Sequence, residues 1–209
     1  GVMIMNRSML DWPTGVTVHK PEKCYNGYTV VNPFLSRNIY LIDMMGRVVH
    51  HWEIKTEDPL YSIFLEKQAK GSWLCLLSHA PQHGWGRPQF GVVQLDWDSN
   101  VVWRYVPPEG VKPHHDVERL QNGNTLLLLN ALVERPQISG KLLQDEFFLE
   151  IDQKGDVVWE WHTSDHFEEF GYSEEARRLM RERGGDVFHN NTATVLPGSE
   201  LGEVDSRFA

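Results

Sequence analysis

One ten-position pattern, Asp-x-x-Gly-x-Val-Val-x-x-Trp, recurs three times along the chain and restricts its fold more than any other feature. Its copies are Asp43, Gly46, Val48, Val49, Trp52; then Asp96, Ser99, Val101, Val102, Tyr105; then Asp152, Gly155, Val157, Val158, Trp161. Each Asp follows an apolar run of strand character, such as Ile39-Tyr40-Leu41-Ile42 or Phe147-Phe148-Leu149-Glu150-Ile151. A β-rich run, a turn opened by Asp and closed by Gly or Ser, and a second run of valines and aromatics together describe a β-hairpin. The Asp residues stand 53 and 56 positions apart, a period that suits the blades of a β-propeller.

A second hairpin lies within each period. Leu120-Gln121-Asn122-Gly123-Asn124 runs into Thr125-Leu126-Leu127-Leu128-Leu129, and Lys70-Gly71-Ser72-Trp73 matches it 52 positions earlier. Leu196-Pro197-Gly198 begins a third copy. Two hairpins per period make a four-stranded antiparallel blade, whose apolar faces only neighbouring blades can cover. The expected fold is therefore all-β: a single domain over 1–209, forming part of a β-propeller of about three four-stranded blades, with repeats near 39–80, 91–132 and 147–209. One helix should interrupt the third repeat near 173–183, with Ser173 as N-cap, Glu174 and Glu175 in the first turn, and arginines crowding the end before Gly184-Gly185. It could serve as a lid or as a loop decoration.

Composition narrows the partners. A net charge of −9 with no dense Lys/Arg cluster argues against nucleic acid or an anionic membrane as a partner. No apolar stretch approaches the roughly 18 residues of a membrane span, and the segment before Asn6-Arg7-Ser8 is too short and polar for a leader, which weakly favours a cytoplasmic product, or a periplasmic one if a leader was removed. Of the two cysteines, Cys75 sits in the apolar run Trp73-Leu74-Cys75-Leu76-Leu77 and is expected to be a buried thiol.

Chemistry is expected where the first strands of the blades open onto a common channel. The strand leading to the Asn-Gly turn starts near His114-His115-Asp116, and the matching segment of the next blade holds Phe188-His189-Asn190-Asn191. Counting back from Gly71 sets Ser62 opposite His114, so that blade offers no imidazole. Side chains alternate along a strand, so one of His114 and His115 should face the channel and the other orient it or pack between blades. Asp116 either holds an imidazole tautomer or pairs with Arg119. His162, Asp165 and His166 form a weaker candidate for metal ligation. The loop containing Trp85 and Arg87 could grip an aromatic anion or be a plain connection.

These strings, from Gly27-Tyr28-Thr29-Val30 through Tyr40-Leu41-Ile42-Asp43, His114-His115-Asp116-Val117-Glu118, Val158-Trp159-Glu160-Trp161-His162 and Asp186-Val187-Phe188-His189-Asn190-Asn191, resemble the arylsulfotransferase family over nearly all of the chain from about residue 15. The resemblance implies a six-bladed propeller that moves a sulfuryl group from a phenolic sulfate ester to another phenol through a sulfated histidine, with no cofactor and no metal. It carries supporting catalytic roles onto His114, His115 and His189, and a substrate-binding role onto Asn191; Trp85 and Arg87 stand as further substrate contacts on the loop reading above. Asn190 stands where the family has an apolar residue. The family's nucleophilic histidine and its partner arginine fall in blades beyond Ala209, Arg207 matching a different arginine, so further blades are expected from another chain or a missing C-terminal part. Two other functions remain open at this point: a propeller used only for binding or assembly, and a metal-dependent hydrolase or lyase built on the same histidine-lined channel.

Overall fold

The computed structural model describes residues 15–33, 36–55, 60–79 and 91–195. They form three antiparallel sheets met in chain order. The first holds β1 (Thr29–Val31), β2 (Asn38–Ile42) and β3 (Val48–Glu53). The second holds β4 (Leu60–Lys67), β5 (Trp73–His79), β6 (Val92–Leu95) and β7 (Val101–Tyr105). The third holds β8 (Val111–Arg119), β9 (Thr125–Val133), β10 (Leu143–Ile151) and β11 (Val157–His162). The all-β reading holds, but the sheets are phased differently from the repeats as spelled in the sequence. Each four-stranded sheet opens with the Asn-Gly type of hairpin and closes with the Asp hairpin, so a unit such as 39–80 straddles two sheets.

The three Asp turns are built alike. The Oδ1 of Asp43 accepts the N–H groups of Met45 and Arg47, that of Asp96 those of Asp98 and Asn100, and that of Asp152 those of Lys154 and Asp156, all at 2.8–2.9 Å. The fourth turn residue is left-handed in each, with φ of 76° at Gly46, 67° at Ser99 and 93° at Gly155. Ser99 occupies the glycine's place and its hydroxyl accepts the backbone N–H of Glu53, so it ties this turn to the first sheet.

Packing follows from strands apolar on both faces. Trp73, Cys75 and Leu77 of β5, with Val93 and Leu95 of β6, meet Ile39, Trp52 and Ile54 of the first sheet and its margin. The alternate residues Leu74, Leu76 and Val92 meet Val117, Leu127, Leu129, Phe147, Leu149 and Ile151 of the third. Period-two alternation thus sends one set of side chains to each neighbour, which explains the unbroken apolar run at Trp73–Leu77. At the outer edge, His50 of β3 stacks on Trp97 of the next sheet's Asp turn, and Trp103 of β7 donates to the Gln153 carbonyl in the turn after that. At the other end of the sheets, a carboxylate on the first strand reaches the backbone that follows it in the next unit. Glu66 of β4 accepts the N–H of Arg119, and Glu118 of β8 accepts that of Val195.

After β11 the chain runs through a 3-10 helix, Thr163–Phe170, into α1 (Glu174–Arg183), which Ser173 caps by accepting from Ala176 N–H. The expected helix is present. It is tethered: Gly185 N–H donates to Leu142 O and Gln144 N–H to Gly185 O at 2.8 and 2.9 Å, and Ser139 Oγ donates to Arg181 O. No helix among the described residues is long and apolar enough to cross a membrane.

Two expectations follow. Burial pushes the Cys75 thiol up to about 12, whereas Cys24 is exposed; a thiol reagent at pH 8 should label one cysteine in the native protein and two after unfolding. The turn hydrogen bonds hold Asp43, Asp96 and Asp152 below the usual carboxylate value, through the Arg47 N–H, the Asn100 side chain and the Asp156 N–H respectively. A depressed carboxyl contributes stability above its unfolded value, about 3.9 for Asp, and that contribution is lost as pH falls through the folded value. Urea denaturation between pH 6 and 2 should therefore show a steeper acid loss in the parent than in a D43N/D96N/D152N variant, which should already be less stable at pH 6.

Candidate active site

The site begins as an irregularity in a ladder. Strand β8 pairs Pro113 with Leu129 and then Val117 with Leu127, so that His114, His115 and Asp116 stand against Leu128 alone. His115 takes up the excess chain in the left-handed region, at φ 53°. Left-handed backbone is costly for a non-glycine residue and marks a position held by its surroundings. The consequence corrects the alternation argument: both rings reach one place, their centroids 4.0 Å apart. A bulge breaks the period of two and re-aims a side chain. Strand β4 has a shorter bulge, where Ser62 pairs with Leu77, Phe64 with Leu76, and Ile63 is the extra residue. By ladder position Ser62 therefore matches Pro113, not His114. It is buried, and its hydroxyl donates to the Phe64 carbonyl.

His189 completes a triangle of imidazoles. Its ring centroid lies 5.2 Å from that of His114 and 5.3 Å from that of His115, and its own φ is 49°. The tether of Gly185 to β10 delivers it, with Phe188 packed against the small core of Ile138, Leu143 and Phe167. Beyond it, Asp116 holds the following segment, its Oδ2 accepting from Thr192 Oγ1 at 2.6 Å and from Ala193 N–H at 2.9 Å. Asp116 thus does neither of the things expected of it. Arg119 turns elsewhere, to the Gly123 carbonyl, Gln94 and the face of Trp103.

Two carboxylates not anticipated from sequence border the triangle. Glu146 of β10 is fully buried; its Oε1 lies 3.0 Å from His114 Nδ1, and its Oε2 accepts the backbone N–H of Asn190. Asp186 Oδ2 accepts from His189 Nδ1 at 2.5 Å. The available signal was the adjacent acid pair Asp145-Glu146 running into the apolar Phe147-Phe148-Leu149, since a buried acid needs a partner.

These neighbours set opposite proton affinities. His115, though exposed on its outer side, is shifted below the ordinary histidine value, first by partial desolvation of its ring and then by the neighbouring imidazoles His114 and His189. His189 is shifted above it, chiefly by its hydrogen bond to Asp186. The site therefore combines an imidazole biased to stay neutral with one biased to hold a proton.

Other sequence candidates fall elsewhere. His162 stacks on Phe147 and lies 3.2 Å from Asp145, whose oxygens also accept from Ser164; Asp165 pairs with Arg135; His166 stacks on Trp161 and pairs with Glu169. The three are divided among separate partners and do not gather as ligands. Asn191 is exposed, its amide donating to the His189 carbonyl, while Asn190 reaches Thr163 Oγ1. Trp85, Arg87, Arg207 and the Leu196-Pro197-Gly198 turn lie outside the described residues.

A protein-family model described as arylsulfotransferase (ASST) matches residues 15–200. No curated protein matches the chain. The geometry makes its own prediction: in an imidazole NMR titration in EDTA, His115 should titrate below about pH 6.5 and His189 above it, and D186N should lower the His189 midpoint.

Proposed function

Because the chain belongs to the arylsulfotransferase family, we propose that it forms part of an enzyme that moves a sulfuryl group from a phenolic sulfate ester to a phenol, with His114, His115 and His189 gripping the sulfuryl oxygens. The observation that carries this reading is the meeting of three imidazoles from two successive units at one bulge. Sulfuryl transfer, like phosphoryl transfer, asks a protein mainly to position the group and to meet the charge on its oxygens.

On this reading the histidine that accepts the group is supplied from outside residues 1–209. Its nitrogen forms the S–N bond as the S–O bond to the aryl oxygen breaks and phenolate leaves. An acceptor phenol then attacks sulfur, gives its proton to a base, and the S–N bond breaks. Such double displacement divides one difficult step into two. The triangle holds the equatorial oxygens through both steps. Asn191, Trp85 and Arg87 are assigned to the substrate on the same reading, the last two to its aromatic ring and charge.

The test is transfer from p-nitrophenyl sulfate to phenol by the assembly that contains the accepting histidine, with H115N and H189N as variants. Asn tolerates left-handed φ, whereas Ala there adds strain. Each variant should lower kcat/KM by about 10²–10³, as expected for loss of an oxyanion donor. Residues 1–209 alone should give no turnover. Undiminished transfer in both variants would leave the chain as a binding or assembly module, and turnover by 1–209 alone would refute the external nucleophile.

A further inference from the structure

We propose that Glu146 is a positioning residue for the imidazole triangle, one buried carboxylate that fixes His114 of the β8 bulge and the His189 segment of the next unit together. Its two oxygens are divided between them. Oε1 lies 3.0 Å from His114 Nδ1, and Oε2 accepts the backbone N–H of Asn190, the residue that follows His189. Among the described residues neither Oε1 nor His114 Nδ1 has a hydrogen-bond partner elsewhere. Glu146 is fully buried, and buried polar atoms without partners are costly, so these two are left to satisfy each other.

The period of two along β10 separates the uses of its adjacent acids. Asp145 turns to the other side, where its oxygens accept from the N–H and Oγ of Ser164. Packing alone gives no reason for an acid at 146, because apolar groups of similar volume in place of buried ionic ones are often neutral or stabilising. What the carboxylate touches supplies the reason. His115 and His189 both hold left-handed backbone, at φ 53° and 49°, and such strain persists only where surrounding contacts over-determine it. Glu146 provides such contacts to the neighbours of both residues, the ring of His114 and the N–H of Asn190.

The clamp also settles a proton. His114 has Nδ1 engaged with Glu146, so the nitrogen left to grip a sulfuryl oxygen is Nε2, and it must carry hydrogen to donate. One further proton then lies between Nδ1 and Oε1, and the pair is neutral as a whole whichever atom holds it. A buried acid beside an anionic ester therefore adds no net charge. This consequence for catalysis rests on the sulfuryl-transfer reading; the clamp itself does not.

The experiment compares E146M, which keeps the shape and removes both acceptors, with E146Q, whose amide still donates to His114 Nδ1 while its carbonyl accepts from Asn190. In the isotope-labelled chain, nuclear Overhauser contacts between the rings of His114 and His189, and slow deuterium exchange of the Asn190 amide, should be present in the parent and in E146Q. In E146M the contacts should weaken and the exchange quicken by about tenfold or more. Circular dichroism and protection of Cys75 from thiol reagents check folding, with E146L replacing E146M if it fails them. In the assembly that contains the accepting histidine, E146M should lower kcat about 10- to 10²-fold, the cost of a small misplacement, with KM for p-nitrophenyl sulfate within about threefold. E146Q should stay within about threefold of the parent in both. Parental exchange and ring contacts in E146M overturn the proposal, as does a loss that E146Q suffers equally. The NMR readouts do not use turnover, so an intact clamp in a parent that transfers nothing rejects the proposed function alone.

Discussion

Everything in this molecule depends on sheets that are apolar on both faces. A strand such as β5, with Cys75 and Leu77 turned to one neighbour and Leu74 and Leu76 to the other, cannot be satisfied by its own sheet. Burial near 25 cal/mol per Å2 of apolar surface is gained only when a sheet is sandwiched. The fold is therefore a sequence of sheet-on-sheet contacts, and its chemistry falls at the junctions between them. His114 and His115 come from one unit and His189 from the start of the next.

That placement explains what could be read in advance. The Asp turns and the Asn-Gly hairpin were legible because a turn is a local bargain: an Asp carboxylate satisfies two N–H groups within four residues, and a left-handed residue closes the loop. Cys75 and the capped helix were legible for the same reason of local sufficiency. Phase was not, because nothing within a hairpin says which neighbour completes its sheet. The length of the β8 bulge was equally hidden. It is defined only by the partner strand, where Leu128 faces three residues, and a rule of strict alternation therefore separated two rings that meet.

The acids show a further limit. Glu146 and Asp186 are distant in sequence from His114 and His115: the β8–β9–β10 pairing brings the first beside them, and the tether of Gly185 to β10 brings the second. Asp116, adjacent to the histidines and so the natural candidate for orienting them, is used to hold Thr192 and Ala193. Sequence neighbours of a site residue were employed in architecture, while the groups that orient the rings came from elsewhere in the third sheet and from the connection after α1.

The carboxylates Glu66 and Glu118 carry a consequence beyond the packing they secure. Each belongs to the first strand of its own sheet yet fixes the register of the chain that begins the next. Each of the two four-stranded units thus brings the fastening for its successor. Growth of such an architecture by internal duplication needs no new fastener to be invented, because the copied strand arrives with its acid in place. Histidines can then be gained or lost at the mouth of a unit, as the contrast between Ser62 and the His114 bulge illustrates, without unsettling the joint that aligns them.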